Sequence, residues 1–102
     1  MSGMAKPHRN ELPAPPGAML EKDAHEVLRA WIVREGLQVS LQRAFDDPSV
    51  WGIMLVDIAR HAARIYAAEG DMGAEAAMAR IRFMWDAEMA KPTDPGVTRP
   101  VS

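Results

Sequence analysis

Four residues in this chain have types and spacing that could do chemistry together: Asp57, Arg60, His61 and Arg64. On a helix they share one face, with Asp57 reaching Arg60 three residues on and His61 four residues on. A carboxylate placed that way can orient an imidazole, as general bases are oriented. No hydroxyl or thiol on the same face completes a nucleophilic triad. Ser40 and Ser49 could join only through tertiary contact. Charge patterns of this kind also make ordinary solvated helix faces with local ion pairs, and that plainer reading of Asp57, His61 and Arg64 is the one the spacing favours.

Other chemistries find less support. Metal binding needs three or four convergent ligands, but His8, His25 and His61 are scattered, no HExxH spacing occurs and cysteine is absent. The glycines at Gly36, Gly70 and Gly73 match neither phosphate-loop nor dinucleotide patterns, so no cofactor is expected. Two helices joined by a Gly-containing turn suggest a DNA-reading motif. The second helix, however, opens on Ala74-Glu75-Ala76-Ala77, and Glu75, Asp86 and Glu88 oppose phosphate contact.

The elements that would position these residues follow from periodicity. Arg29–Val33 and Leu37–Leu41 flank Arg34-Glu35-Gly36, and the second run alternates apolar and polar residues as a half-buried strand does. A three-residue loop with Gly36 in the left-handed region pairs Val33 with Leu37 and Trp31 with Val39. Trp31, Val33, Leu37, Val39 and Leu41 would then share one apolar face, with Ala30, Ile32, Gln38 and Ser40 behind. Before the hairpin, Leu20–Leu28 can form a short helix or turn, with Asp23 and Glu26 at capping-box spacing.

Asp46-Asp47-Pro48 is a helix start, an Asp cap followed by proline at the first helical position. The helix is expected from Pro48 to Glu69, stopped by Gly70, with Trp51, Met54, Leu55, Ile58, Ala62 and Ile65 as its apolar stripe. Ile53 and Val56 widen that stripe beyond what one thin hairpin could cover. A second helix over 73–90 follows a short connection, so the two should lie antiparallel. Its stripe is Ala77, Met78, Ile81, Met84, Trp85 and Met89, with Met78 and Met84 read as core. Phe83 lies off the stripe and could anchor a partner.

Seven of the eight prolines lie outside the stretch from about 20 to 91. Residues 1–18 therefore read as a flexible leader, 19–91 as one α+β domain and 92–102 as a flexible tail. A folding unit of roughly 70 residues supplies only a few kcal/mol from a lone core. Disulfides are ruled out by the lack of cysteine, and self-association is the remaining staple. Twelve basic against fourteen acidic residues, net −2, argue against a nucleic-acid partner. The longest dense apolar patch, Trp51–Val56, is too short for a bilayer, and the N-terminus lacks a secretory core, so a cytoplasmic setting is expected.

The run from GLQVSL through DDPSVWGIMLVDIARHAA, with PTDPG at Pro92–Gly96, resembles a family of short bacterial proteins known only as a domain of unknown function. The resemblance implies a free-standing single-domain cytoplasmic protein and carries over no catalytic or binding residue. The sequence thus leads to a β-hairpin packed on two antiparallel helices with flexible ends. Its expected role is that of a self-associating, homodimeric interaction module without catalysis. The interface candidates are Ile32, Ile53, Val56 and Phe83. The alternative is a small-molecule binder or minor enzyme using Asp57 and His61 in a dimer cleft.

Overall fold

The structure is a computed structural model and describes residues 8–93. Residues 1–7 of the expected leader and 94–102 of the expected tail lie outside the described residues. The element order is α1 (Pro16–Leu20), β1 (Leu28–Val33), β2 (Gly36–Leu41), α2 (Ser49–Ala68) and α3 (Ala74–Ala90), an α+β arrangement. The chain divides between Gln42 and Arg43 into two compact units, one built on the hairpin and one on the long helices.

In the hairpin unit β1 and β2 pair antiparallel, with Leu28 opposite Leu41, Ala30 opposite Val39, Ile32 opposite Leu37 and Val33 opposite Gly36. This corrects the expected register. The loop is two residues long, Arg34-Glu35, and Arg34 takes the left-handed φ of 59° while Gly36 stays in the strand. A positive φ at the first central residue alone is the sign pattern of a type II′ turn, whose twist suits a hairpin. Because side chains alternate at period two, shortening the loop by one residue moves all of β1 to the opposite face. Leu28, Ala30 and Ile32 therefore join Leu37, Val39 and Leu41 on the apolar face, while Trp31 and Val33 stand behind with Gln38 and Ser40.

The apolar cover that Trp31 needs comes from the leader. Its ring meets the His8 imidazole edge-on at 5.0 Å, while the Arg29 guanidinium, on the same face, reaches Glu11 at 3.1 Å and Glu26 at 3.0 Å. Of the short helix or turn expected over Leu20–Leu28, it is the turn that forms. Helix α1 lies upstream, where Pro16 is pre-set for the first helical position. Residues 21–24 turn instead, with Ala24 N–H donating to the Glu21 carbonyl. Glu26 serves Arg29 rather than a helix cap.

In the helical unit the start at Asp47-Pro48 forms as expected: the Asp47 carboxylate accepts the Ser49 N–H at 2.9 Å. That bond to the Ser49 backbone holds the Asp47 carboxyl below its ordinary range. Just upstream, Phe45 packs edge-on against Trp51 at 5.6 Å and pins the entering chain to the first turn of α2. The stop is equally local. Gly70 has φ 81°, its N–H donates to Ala67 O, and the Asp71 N–H donates to Tyr66 O. This pair of bonds is the Schellman motif, and it occurs where the left-handed residue is glycine.

Helices α2 and α3, joined by the short connection 69–73, pack as a helical hairpin. Ala63 of α2 and Ala77 of α3 are buried, the small side chains allowing close approach. Trp51, Met54, Leu55 and Ala62 on α2, and Met78 and Ile81 on α3, are half-buried. The outer part of the α3 stripe departs from expectation: Met84, Trp85 and Met89 are exposed. Met84 is therefore surface, not core: of the apolar stripe of α3, burial reaches Ala77, Met78 and Ile81.

The two left-handed positions give opposite predictions. Arg34→Gly should stabilise the chain by about 0.5–1 kcal/mol, because a type II′ turn prefers glycine at that position. Gly70→Ala should destabilise it by about 1–2 kcal/mol. Both are read from urea unfolding midpoints. A third prediction concerns pH. Since the folded carboxyl of Asp47 titrates below its unfolded value, its contribution is complete above the unfolded value and is lost as pH falls through the folded one. Asp47→Ala should therefore lower the urea midpoint at neutral pH, and the difference should shrink as pH falls through the lowered folded value.

Candidate functional site

The polar face of α2 carries Asp57, Arg60, His61 and Arg64, all exposed. The helix brings His61 and Arg64 together, with Arg64 Nη1 3.2 Å from His61 Nδ1. A guanidinium can only donate, so this contact uses the Nδ1 lone pair of the ring. Asp57 makes no hydrogen bond or ion pair to the imidazole among the described residues. The remaining histidines do other jobs. His8 Nδ1 accepts the Asn10 N–H at 3.0 Å beside Trp31, and His25 lies 3.4 Å from the Asp23 carbonyl. Among the described residues no group of three His, Cys, Asp or Glu side chains is placed to hold a metal ion.

Charge is concentrated instead at the start of the hairpin. Arg29 sits between Glu26 and Glu11, and its pKa is raised, first by the Glu26 hydrogen bond and then by that of Glu11. A shallow concavity of about 170 Å³ opens here, bounded by Asn10, Glu11, Leu12, Glu26, Arg29 and Trp31. Its charges satisfy one another, so it serves chiefly to fasten the leader to β1. At the far end of the chain, Glu88 accepts the Thr93 N–H at 2.8 Å and also the Thr93 hydroxyl. The hydroxyl bond, then the backbone bond, holds the Glu88 carboxyl below its ordinary range. These bonds secure the chain as it leaves α3 at Lys91 and Pro92.

The larger feature is apolar. Two adjoining hollows run along α3, about 350 Å³ lined by Tyr66, Met72, Ala77, Arg80, Ile81 and Met84, and about 420 Å³ lined by Ile81, Met84, Trp85, Glu88 and Met89. They share Ile81 and Met84 and so form one apolar groove. Methionines suit such a surface because their flexible thioethers adapt to irregular partners. All four interface candidates are exposed: Ile32 at 74%, Ile53 at 65%, Val56 at 44% and Phe83 at 72%. Ile53 and Val56 share a face of α2, and Ile32 stands on the apolar hairpin face. Trp85 and Met89, which their spacing from Ile81 places on the apolar stripe of α3, belong with this exposed set.

No curated protein matches this chain. It is similar to a solved structure described as a "putative pyruvate dehydrogenase from the photosynthetic bacterium Rhodopseudomonas palustrus CGA009". The two are 44% identical with a TM-score of 0.74, over 97% of this chain and 100% of that one. No helix among the described residues is long and apolar enough to cross a membrane. Residues 11–93 match the model of a domain of unknown function, DUF5076, and the chain belongs to that family.

Proposed function

We propose that this protein is a homodimeric interaction module, without catalytic activity of its own, working in the cytoplasm. The observation that carries this reading is the balance of buried and exposed apolar groups. The buried hydrophobics among the described residues are two alanines, Ala63 and Ala77, whereas seventeen large ones are exposed. So many exposed apolar side chains favour a covering partner, because monomeric soluble proteins seldom leave large apolar patches open. Burying a Phe, Trp, Ile or Met side chain yields about 1.5–3 kcal/mol. A handful of the exposed ones is enough to offset an association cost of about 4–15 kcal/mol. A second copy is the natural partner because a two-fold axis doubles every such contact.

The name of the solved neighbour would imply an oxidoreductase acting on pyruvate. The residues of this chain lend that no support. Its α3 groove is apolar, the Glu11–Arg29–Glu26 cluster is self-satisfied, and Asp57 does not orient His61.

Sedimentation velocity at low micromolar concentration should show twice the 11.2 kDa chain mass. Phe83→Asp, at an exposed position that costs the monomer little, should raise the dimer dissociation constant about tenfold or more. A folded wild-type monomer under those conditions would sink the proposal.

A further inference from the structure

We infer that the outer edge of β2 pairs with β2 of a second copy, antiparallel and centred on Val39, making a four-stranded sheet across the dimer. This rests on the self-association proposed above and adds to it a strand-edge contact distinct from the apolar one tested at Phe83. The sheet has two strands, so each has an open edge. The two edges are unlike. Along β1 the leader closes in, with Glu11 on Arg29 and His8 on Trp31, and Leu28, Arg29 and Trp31 are half-buried. Along β2 every residue is exposed.

The main chain of β2 is also directed correctly. Gln42 N–H donates to the Val27 carbonyl, continuing the ladder by one residue. Hydrogen-bonded pairs alternate in an antiparallel ladder, so Ser40, Gln38 and Gly36 turn their main-chain groups toward β1. Leu37, Val39 and Leu41 turn theirs outward. No loop or side-chain hydrogen bond among the described residues reaches these three. The edge carries none of the usual guards against pairing, since Gly36–Gln42 contains no charge and no proline.

The flanking charges select the partner and the register. Glu35 precedes the strand and Arg43 follows it. An antiparallel copy centred on Val39 sets Leu37 opposite Leu41, Val39 opposite Val39 and Gln38 opposite Ser40. Glu35 of each copy then lies beside Arg43 of the other. Leu37, Val39 and Leu41 of both copies extend one continuous apolar face, and each outward residue gains a bonded partner. Moving the axis one residue either way leaves Leu37 or Leu41 without a strand partner and separates the charges. Arg43 is now 3.8 Å from Asp46, but both side chains are exposed, so the guanidinium can change partners readily. A foreign extended peptide would find the main-chain bonds but not this two-ended charge match.

The test measures dimer dissociation for the wild type, Glu35→Arg, Arg43→Glu and the double variant by sedimentation equilibrium at low salt. Each single reversal should weaken the dimer about tenfold, the double variant should recover it, and the two single variants mixed should prefer each other. Amide exchange of Leu37, Val39 and Leu41 should slow with protein concentration, while that of Gln38 and Ser40, bonded within the hairpin, should not. A dimer indifferent to all three variants, with concentration-independent exchange, overturns the β2 pairing and leaves self-association standing. A wild-type monomer overturns both. If the outward amides of that monomer slow on adding an alternating Val/Thr peptide, the edge belongs to a foreign strand.

Discussion

The two-residue turn at Arg34-Glu35 sets the register of the hairpin, and much of the molecule's surface chemistry follows from it. With Val33 opposite Gly36, the six residues Leu28, Ala30, Ile32, Leu37, Val39 and Leu41 form one apolar face. The same register turns the main-chain groups of Leu37, Val39 and Leu41 outward. A loop one residue longer would have placed Ile32 behind and Trp31 in front. The turn achieves this with a non-glycine residue in the left-handed region, a local cost that the ladder and the contacts of the leader must offset.

The helical unit rests on a different kind of control. Its start and stop are decided within a few residues, by the Asp47 carboxylate on the Ser49 N–H and by Gly70 closing the end of α2. Between them the helices meet through Ala63 and Ala77, so the pair is close but gains little apolar burial. The larger side chains, Ile53, Phe83, Trp85 and Met89, are left facing outward. Local order is therefore well specified while much apolar surface stays exposed, and that surface is what the proposed second subunit would cover.

The i,i+4 spacing of Asp57 and His61 on α2 allows a carboxylate to meet the imidazole. Helix geometry permits the contact but does not require it, and here Arg64 takes the ring nitrogen instead. The choice between i,i+3 and i,i+4 partners depends on rotamers, which spacing does not encode. The role of Arg29 was out of reach for a related reason. Its partner Glu11 lies eighteen residues upstream in what composition marks as a leader, and no local periodicity links the two.

What the sequence determined by itself was the two strands, the two long helices and the ends of those helices, because caps, prolines and alternation act over one to five residues. It also showed that the apolar residues were too many for so small a unit. Only the tertiary structure decided the hairpin register, the docking of the leader and the exposure of Met84, Trp85 and Met89. Each of these turns on a competition between near-equal local arrangements. In the hairpin the competitors were a glycine-closed three-residue loop and a two-residue loop with Arg34 strained. In the register that forms, Trp31 and Arg29 share the face that meets His8 and Glu11 of the leader. Periodicity specifies which residues alternate, but the contacts each face makes specify which set lies inside.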